Sequence, residues 1–220
     1  MTAVQAPPAI DADPFGHEAL EDPLPLHSRL RDAGPVTYLT RYDVFALGRY
    51  EQVVVRSLLS AGVDTTVHGL AAVLYAFAVN PDQWRRLREN PALARTAFDE
   101  AVRWQSPVQT FFRTAVGDRE IAGTVVPDGR KILMFLGAAN RDPRRWADPD
   151  AFDLARDPSG HVGFGMGIHQ CVGQHVARLE SEALLTALAR RVERLEPAAD
   201  PVRHHNNTLR AWKSLPVRVS

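Results

Sequence analysis

Residues 164–173 read Phe-Gly-Met-Gly-Ile-His-Gln-Cys-Val-Gly and hold the only cysteine of the 220-residue chain, Cys171. Six of the ten positions fit F-G-x-G-x-H-x-C-x-G, a pattern expected by chance in such a chain on the order of once in a million. Glycines at 165, 167 and 173 let the backbone make a tight loop and let a flat ligand approach closely. After Cys171, the apolar positions Val172, Val176, Leu179, Ala183, Leu184 and Leu188 predict a helix from 171 to about 194. A cysteine that opens a helix sits where negative charge, and so a thiolate, is favoured.

Composition narrows the partners. Twenty-six basic and 26 acidic residues cancel, and the isoelectric point is near 7.1. That balance lacks the basic footprint of a nucleic-acid binder. One cysteine excludes a disulfide framework and fits a reducing compartment. The opening Met-Thr-Ala-Val-Gln-Ala-Pro-Pro has neither a basic nor an apolar signal region. The most apolar run, Gly69 to Val79, is too short to span a bilayer. A cytoplasmic protein with no membrane partner is the expectation.

Along the chain, residues 1–21 are Pro- and Asp-containing and read as disordered. A short helix is expected over 22–32, then a hairpin of Val36–Leu39 and Val44–Leu47 around Arg41-Tyr42-Asp43. Val53 to Val79 reads as a long apolar helix closed by Asn80-Pro81. Two amphipathic helices follow, 82–90 and 92–104, stopped at Ser106-Pro107. Gln109–Val116, Arg119–Ile121 and Lys131–Leu136 read as short strands, with turns at Gly117-Asp118 and Pro127-Asp128-Gly129. A loop-rich stretch, 139–163, leads into the cysteine loop, and a weak β segment ends the chain. The class is mainly α with small β groups.

Three further constellations carry chemistry. Ala61-Gly62-Val63-Asp64-Thr65-Thr66 puts an acid beside an alcohol in an apolar helix, which is awkward for folding. Threonine hydroxyls there can bond the i−4 carbonyl and bend the helix. A notch that delivers protons explains the sequence; a solvated Asp with two capping threonines is the alternative. Glu100 and Arg103 form an E-x-x-R pair, which on its own suits an exposed helix face. Cys171, with no second cysteine to pair with, suits the axial thiolate of a haem iron, against the alternative of a small buried core cysteine.

Together these motifs resemble the cytochrome P450 family. The resemblance implies a haem-thiolate monooxygenase using haem b (iron protoporphyrin IX), with Cys171 as the iron ligand and Phe164, Gly165, His169 and Gly173 in the haem-binding loop. His169 is expected to pack or hydrogen-bond near the haem without ligating it. The central-helix motif implies that Asp64 and Thr65 control proton supply to the reaction with O2. In the family, E-x-x-R closes a buried triad with a second arginine, here Arg156, which supports the cysteine loop. Arg113 and His161 match residues that bind haem propionates, for which charge-assisted hydrogen bonds are suited.

The stretch from Ser106 to Trp146 resembles P450s that oxidise small para-substituted benzoic acids. Arg56 and Ser57, before the notch, would help hold such a carboxylate, with a solvated Arg56 as the alternative. No flavin or iron–sulfur segment is evident, so a separate ferredoxin and ferredoxin reductase are the implied electron donors. The resemblance is broken at one point: residues 22–53 match the N-terminal helix and hairpin of a P450, and 54–220 its C-terminal half. The fold is therefore expected to be an incomplete P450, lacking the segment between the first hairpin and the central helix. His27-Ser28-Arg29-Leu30-Arg31 is the only H-x-x-x-R, and its place in the N-terminal helix marks it as coincidence. An impaired monooxygenase, a non-functional remnant and a haem-binding protein without oxygenase activity all fit this arrangement.

Overall fold

Two compact units, residues 1–63 and 64–220, divide the chain. The computed structural model describes residues 6–206 and 208–220, without the side chains of residues 50–60. In the first unit, β1 (Ala9–Ile10) precedes α1 (His17–Glu21) and α2 (Leu24–Ala33), followed by β2 (Thr37–Leu39) and β3 (Val44–Ala46). β2 and β3 pair antiparallel, with Tyr38 opposite Phe45, as the hairpin pattern predicts. β1 adds to the other edge of β2 in parallel.

The order around β1 and α1 contrasts with the disorder expected over 1–21. The cause is long-range: Arg41 in the hairpin turn pairs with Asp11 at 3.2 Å and Asp13 at 3.1 Å. The Tyr42 hydroxyl donates to Asp13, whose carboxyl is held below its usual range chiefly by that bond. Local pattern shows none of these contacts.

Proline and asparagine set the helix limits beyond. α3 (Tyr50–Val79) ends where the Asn80 amide donates back to the Ala76 carbonyl at 2.7 Å. α4 (Pro81–Glu89) begins on its proline, where a missing N–H costs nothing. A 3₁₀ turn, Pro91–Leu93, then leads into α5 (Ala94–Gln105), which closes on Ser106 in a left-handed conformation. β4 (Thr110–Thr114) pairs antiparallel with β7 (Lys131–Phe135). Between them β5 (Arg119–Ile121) and β6 (Thr124–Val126) form a hairpin. Its two-residue turn, Ala122-Gly123, has positive φ at both positions, as such tight hairpins require.

The short α6 (Leu136–Ala139) opens the long loop to the cysteine, and α7 (Gln174–Arg191) follows it. β8 (Leu195–Pro197) pairs with β11 (Val217–Val219), and β9 (Val202–His204) with β10 (Ala211–Ser214). The second unit's core joins Val73, Ala76 and Phe77 of α3 to Trp84 and Leu87 of α4 and Phe98 and Ala101 of α5. Phe152, Leu154, and Leu185 and Ala189 of α7 also belong to it. Ala61–Val79 of α3 is long and apolar enough to cross a bilayer, longer than the Gly69–Val79 run alone. Its ring contacts are those of a core helix: Phe77 lies edge-on to Trp84 at 5.2 Å and to Phe152 at 5.4 Å.

α7 differs from its sequence pattern in an informative way. It starts at Gln174, so Cys171 lies in the preceding loop and does not open the helix. Its buried face is Gln174, Ala177, Ser181, Leu185 and Ala189. Of the periodic set, Val172, Val176, Leu179 and Ala183 are exposed, whereas Leu184 is half-buried and Leu188 packs against the core. The first turns of this helix thus present an exposed apolar strip, Val176 and Leu179, opposite the face that joins the core.

Candidate functional site

The cysteine loop is closed at its ends and pinned at its start. The Cys171 N–H donates to the Phe164 carbonyl at 2.7 Å, and Gly165 N–H donates to the Val162 carbonyl at 3.0 Å. The Phe164 ring is held from three sides: Phe98 of α5 at 6.3 Å, the His161 ring at 5.6 Å, and the Arg178 guanidinium over its face at 4.6 Å. Phe164 thereby fixes the Cys171 backbone through its carbonyl and the loop through its ring.

Between these anchors the chain turns through Gly165 and Gly167, at φ +69° and +59°. A side chain at Gly165 would put its Cβ 2.7 Å from the His169 carbonyl oxygen. Cys171 and His169 are both exposed. The exposure disposes of the buried core cysteine.

The segment that leads to the loop is gathered by a network around Glu100. Glu100 and Arg103 are both 0% exposed and bond bidentately, at 2.7 and 2.8 Å. Arg156 Nε donates to the same carboxylate at 3.1 Å, and the Asp153 N–H at 3.2 Å. The rest of the Arg103 fork donates to the carbonyls of Asn140, Pro149 and Ala151, each at 2.9 Å. Arg156 reaches Asp148 at 3.0 Å and Ala147. The planar guanidinium makes this possible: one cation gathers three loop carbonyls and one acid. The structure thus brings Glu100, Arg103 and Arg156 into one buried cluster. An exposed helix pair, which E-x-x-R alone suggests, is not what these residues form.

Several supports leave no sequence signal. Asn140, 1% exposed, donates to the Ser106 hydroxyl at 3.0 Å and accepts from the Val162 N–H at 2.8 Å. It therefore links the end of α5 to the residues just before the cysteine loop. Asp99 accepts from Arg178 of α7 at 2.9 and 3.0 Å and faces His161 Nε2 at 3.6 Å. His161 Nδ1 accepts from the Gly163 N–H at 3.1 Å. Both ring nitrogens of His161 are turned to protein groups. In the approach to it, Asp157 is held below its usual range, chiefly by its bond to Ser159.

The remaining predicted residues sit on other elements. Arg113 is half-buried on β4, with Nη1 donating to the Phe112 carbonyl at 2.9 Å and its guanidinium 5.9 Å from the Phe111 ring. On α3, Asp64 is exposed and Thr65 half-buried. The Arg56 and Ser57 side chains lie outside the described residues.

Among the described residues no cluster of three His, Cys, Asp or Glu side chains could hold a bare metal ion. The donor on offer is one exposed thiol, on a loop whose glycine a Cβ would fill. That set suits a metal whose other bonds come from a planar macrocycle, and so the residues fit a haem.

Comparison with known proteins agrees. The family model for cytochrome P450 matches residues 52–217. A 168-residue stretch is 60% identical to cytochrome P450 CYP199A2 of Rhodopseudomonas palustris, covering 76% of this chain and 41% of that protein. Cytochrome P450-terp of a Pseudomonas species is 35% identical, over 74% of this chain and 38% of its own length. Among solved structures, CYP108D1 of Novosphingobium aromaticivorans superposes with a TM-score of 0.75 at 38% identity, over 80% of this chain and 43% of that one. The chain spans less than half the length of the relatives it matches. With the family's motifs placed on the family's fold, this chain belongs to the cytochrome P450 family.

Proposed function

We propose that the chain carries the haem-thiolate half of a monooxygenase that inserts one oxygen atom of O2 into a C–H bond of a small organic substrate. The observation that carries this reading is the exposed Cys171 on a glycine loop backed by the Glu100–Arg103–Arg156 cluster. Haem b, bound there, would supply the redox-active iron that reacts with O2. Cys171 would hold the iron, its thiolate supplying electron density to it.

The other residues position and protonate. Phe164 and Gly165 shape the loop, and Gly173, whose Cβ position is 3.9 Å from the sulfur, leaves room around it. Arg113 and His169 would donate to the propionates, as a half-buried cation and an exposed ring can. The resemblance matches His161, with Arg113, to the propionates; its engagement with Asp99 and Gly163 suits it to holding the loop instead, and the exposed His169 takes that place. Asp64 and Thr65 would move protons toward the site. Electrons would come from a separate ferredoxin and ferredoxin reductase, in a cytoplasmic setting. The 60% identity to CYP199A2 and the residues from Ser106 to Trp146 favour a small aromatic acid as substrate, with Arg56 and Ser57 toward its carboxylate.

A second reading, a haem-binding chain without oxygenase activity, is favoured by the span of only 41% of that relative. One experiment separates the readings. The reduced protein under carbon monoxide should give the red-shifted Soret band of a thiolate ligand, and Cys171→Ala should abolish it. Persistence of that band in Cys171→Ala overturns the ligand assignment. When a protein carrying this chain within the full length of its relatives is supplied with ferredoxin, reductase and 4-methoxybenzoate, the band without product decides for the second reading.

A further inference from the structure

Three segments meet at Asn140, a buried side chain outside the Glu100 cluster. Its backbone N–H donates to the Leu136 carbonyl at 2.9 Å, and its own carbonyl accepts from Arg103 at 2.9 Å. With the backbone held on both sides, the direction of the carboxamide is set. Nδ2 donates to the Ser106 hydroxyl and Oδ1 takes the Val162 N–H. An amide can do both at once; a carboxylate lacks the donor, and an alkyl chain lacks donor and acceptor alike.

The two partners stand at the roots of the two segments that carry the proposed haem contacts. Val162 opens the turn to Gly165, and within that turn the Phe164 carbonyl receives the Cys171 N–H. Ser106 ends α5, and the chain runs from it into β4, which bears Arg113. Ser106 is also strained: it is 3% exposed and has φ +44°, a left-handed angle in a residue with a side chain. Such an angle persists only where the surroundings over-determine it. The Ser106 hydroxyl donates to the Arg103 carbonyl at 3.0 Å, which turns its lone pairs to Asn140.

We propose that Asn140 is a positioning residue for the cysteine ligand. Its carboxamide fixes Val162, and through that turn the carbonyl that holds Cys171, against the end of α5 at Ser106. The effect on the iron ligand rests on the haem-thiolate reading; the ordering of the loop is a property of the chain itself.

Two measurements on the full chain test this. Backbone amide exchange without haem reads the loop, and the reduced carbon monoxide spectrum with haem reads the ligand. Asn140→Ala should speed exchange at Val162 and Cys171 about tenfold, the scale of one buried hydrogen bond. It should also lower the share of bound haem that gives the red-shifted Soret band. Ser106→Ala and Ser106→Gly both lose the hydroxyl, but only glycine relieves the positive φ. Ser106→Gly should therefore unfold at the higher temperature of the two, while both speed Val162 exchange alike. Should Asn140→Ala fail to fold, the Ser106 pair decides. Asn80→Ala, which removes a side-chain amide bond at the end of α3, should lower the unfolding temperature and leave Val162 exchange unchanged. Unchanged exchange in Asn140→Ala or the Ser106 pair, an equal rise in Asn80→Ala, or faster exchange with an undiminished Soret share overturns the proposal. Faster exchange in Asn140→Ala, where the unsubstituted chain gives no red-shifted band, supports the loop anchoring and overturns the haem-thiolate reading instead.

Discussion

At the scale of single residues, the cysteine loop depends on charges and backbone angles that a pattern search cannot weigh. Glu100 is wholly buried and is the one carboxylate on Arg103. Glu100→Ala should cost about 3–5 kcal/mol in urea unfolding, because it strands a buried cation. Arg103→Lys should fail to rescue, since an ammonium cannot span the carboxylate and three carbonyls at once. The glycines separate two effects. Gly165→Ala meets both a positive φ and the His169 carbonyl, whereas Gly167→Ala meets a positive φ in open space. Gly167→Ala should cost about 1–2 kcal/mol, the usual penalty of that conformation, and keep its haem. Gly165→Ala should lose most of it, as haem absorbance per chain will show. The sequence made Cys171, the glycines and the E-x-x-R pair legible because their spacing is local. Asn140, Asp99 and Arg178 were illegible because their partners lie 22 to 79 residues away, and a lone polar residue carries no sign of what it will meet. His161 shows the converse: its motif position suggests an anion partner, and in the structure its ring nitrogens meet Asp99 and the Gly163 N–H.

At the scale of elements, helix limits were readable wherever proline or asparagine wrote them, as at Asn80-Pro81 and Asn90-Pro91. What periodicity could not supply was which apolar stripe of α7 faces inward. The face through Ala177, Leu185 and Ala189 is the one that shares a core with Phe98 and Ala101 of α5, and that packing lies outside the sequence of α7 itself. β1 and β6 are two- and three-residue strands, too short for alternation to mark them. α3 carries a local penalty, since an acid and two β-branched alcohols interrupt a mostly apolar stretch of the helix. If Asp64 and Thr65 serve proton transfer, their substitutions should separate in a protein carrying α3 within the full length of its relatives. Asp64→Asn should slow turnover by about 10²–10⁴-fold, the usual weight of a positioned proton donor. Thr65→Ala should keep electron uptake and divert it to hydrogen peroxide. Oxygen consumption, peroxide and product, measured together, distinguish the two; unchanged rate and coupling in both variants refute the assignment.

At the scale of the whole molecule, the second unit has a continuous core yet leaves large apolar side chains in water. Ile168 and Val172 flank the cysteine at 97% and 86% exposure, and Val176, Leu179 and Met166 continue that surface. Phe112 and Phe135 are exposed on the β4–β7 pair. A soluble monomer rarely leaves so many large apolar side chains exposed near one another in sequence; apolar patches mark an interface or drive association. The relatives are more than twice the matched length, and a haem would cover part of the cysteine side. The chain as it stands should therefore self-associate, with a light-scattering mass above the 24.4 kDa of one copy. Replacing Ile168 and Leu179 together by lysine should lower that mass without loss of helical circular dichroism, because neither side chain belongs to the buried core. An open site also admits water, and the electrostatics on which oxygen chemistry depends weaken when the site is wet. Purified chain should accordingly hold less than one haem per copy and form no product from 4-methoxybenzoate with ferredoxin and reductase. One haem per monomeric chain with coupled product would refute this, and would mean that 220 residues close the pocket unaided.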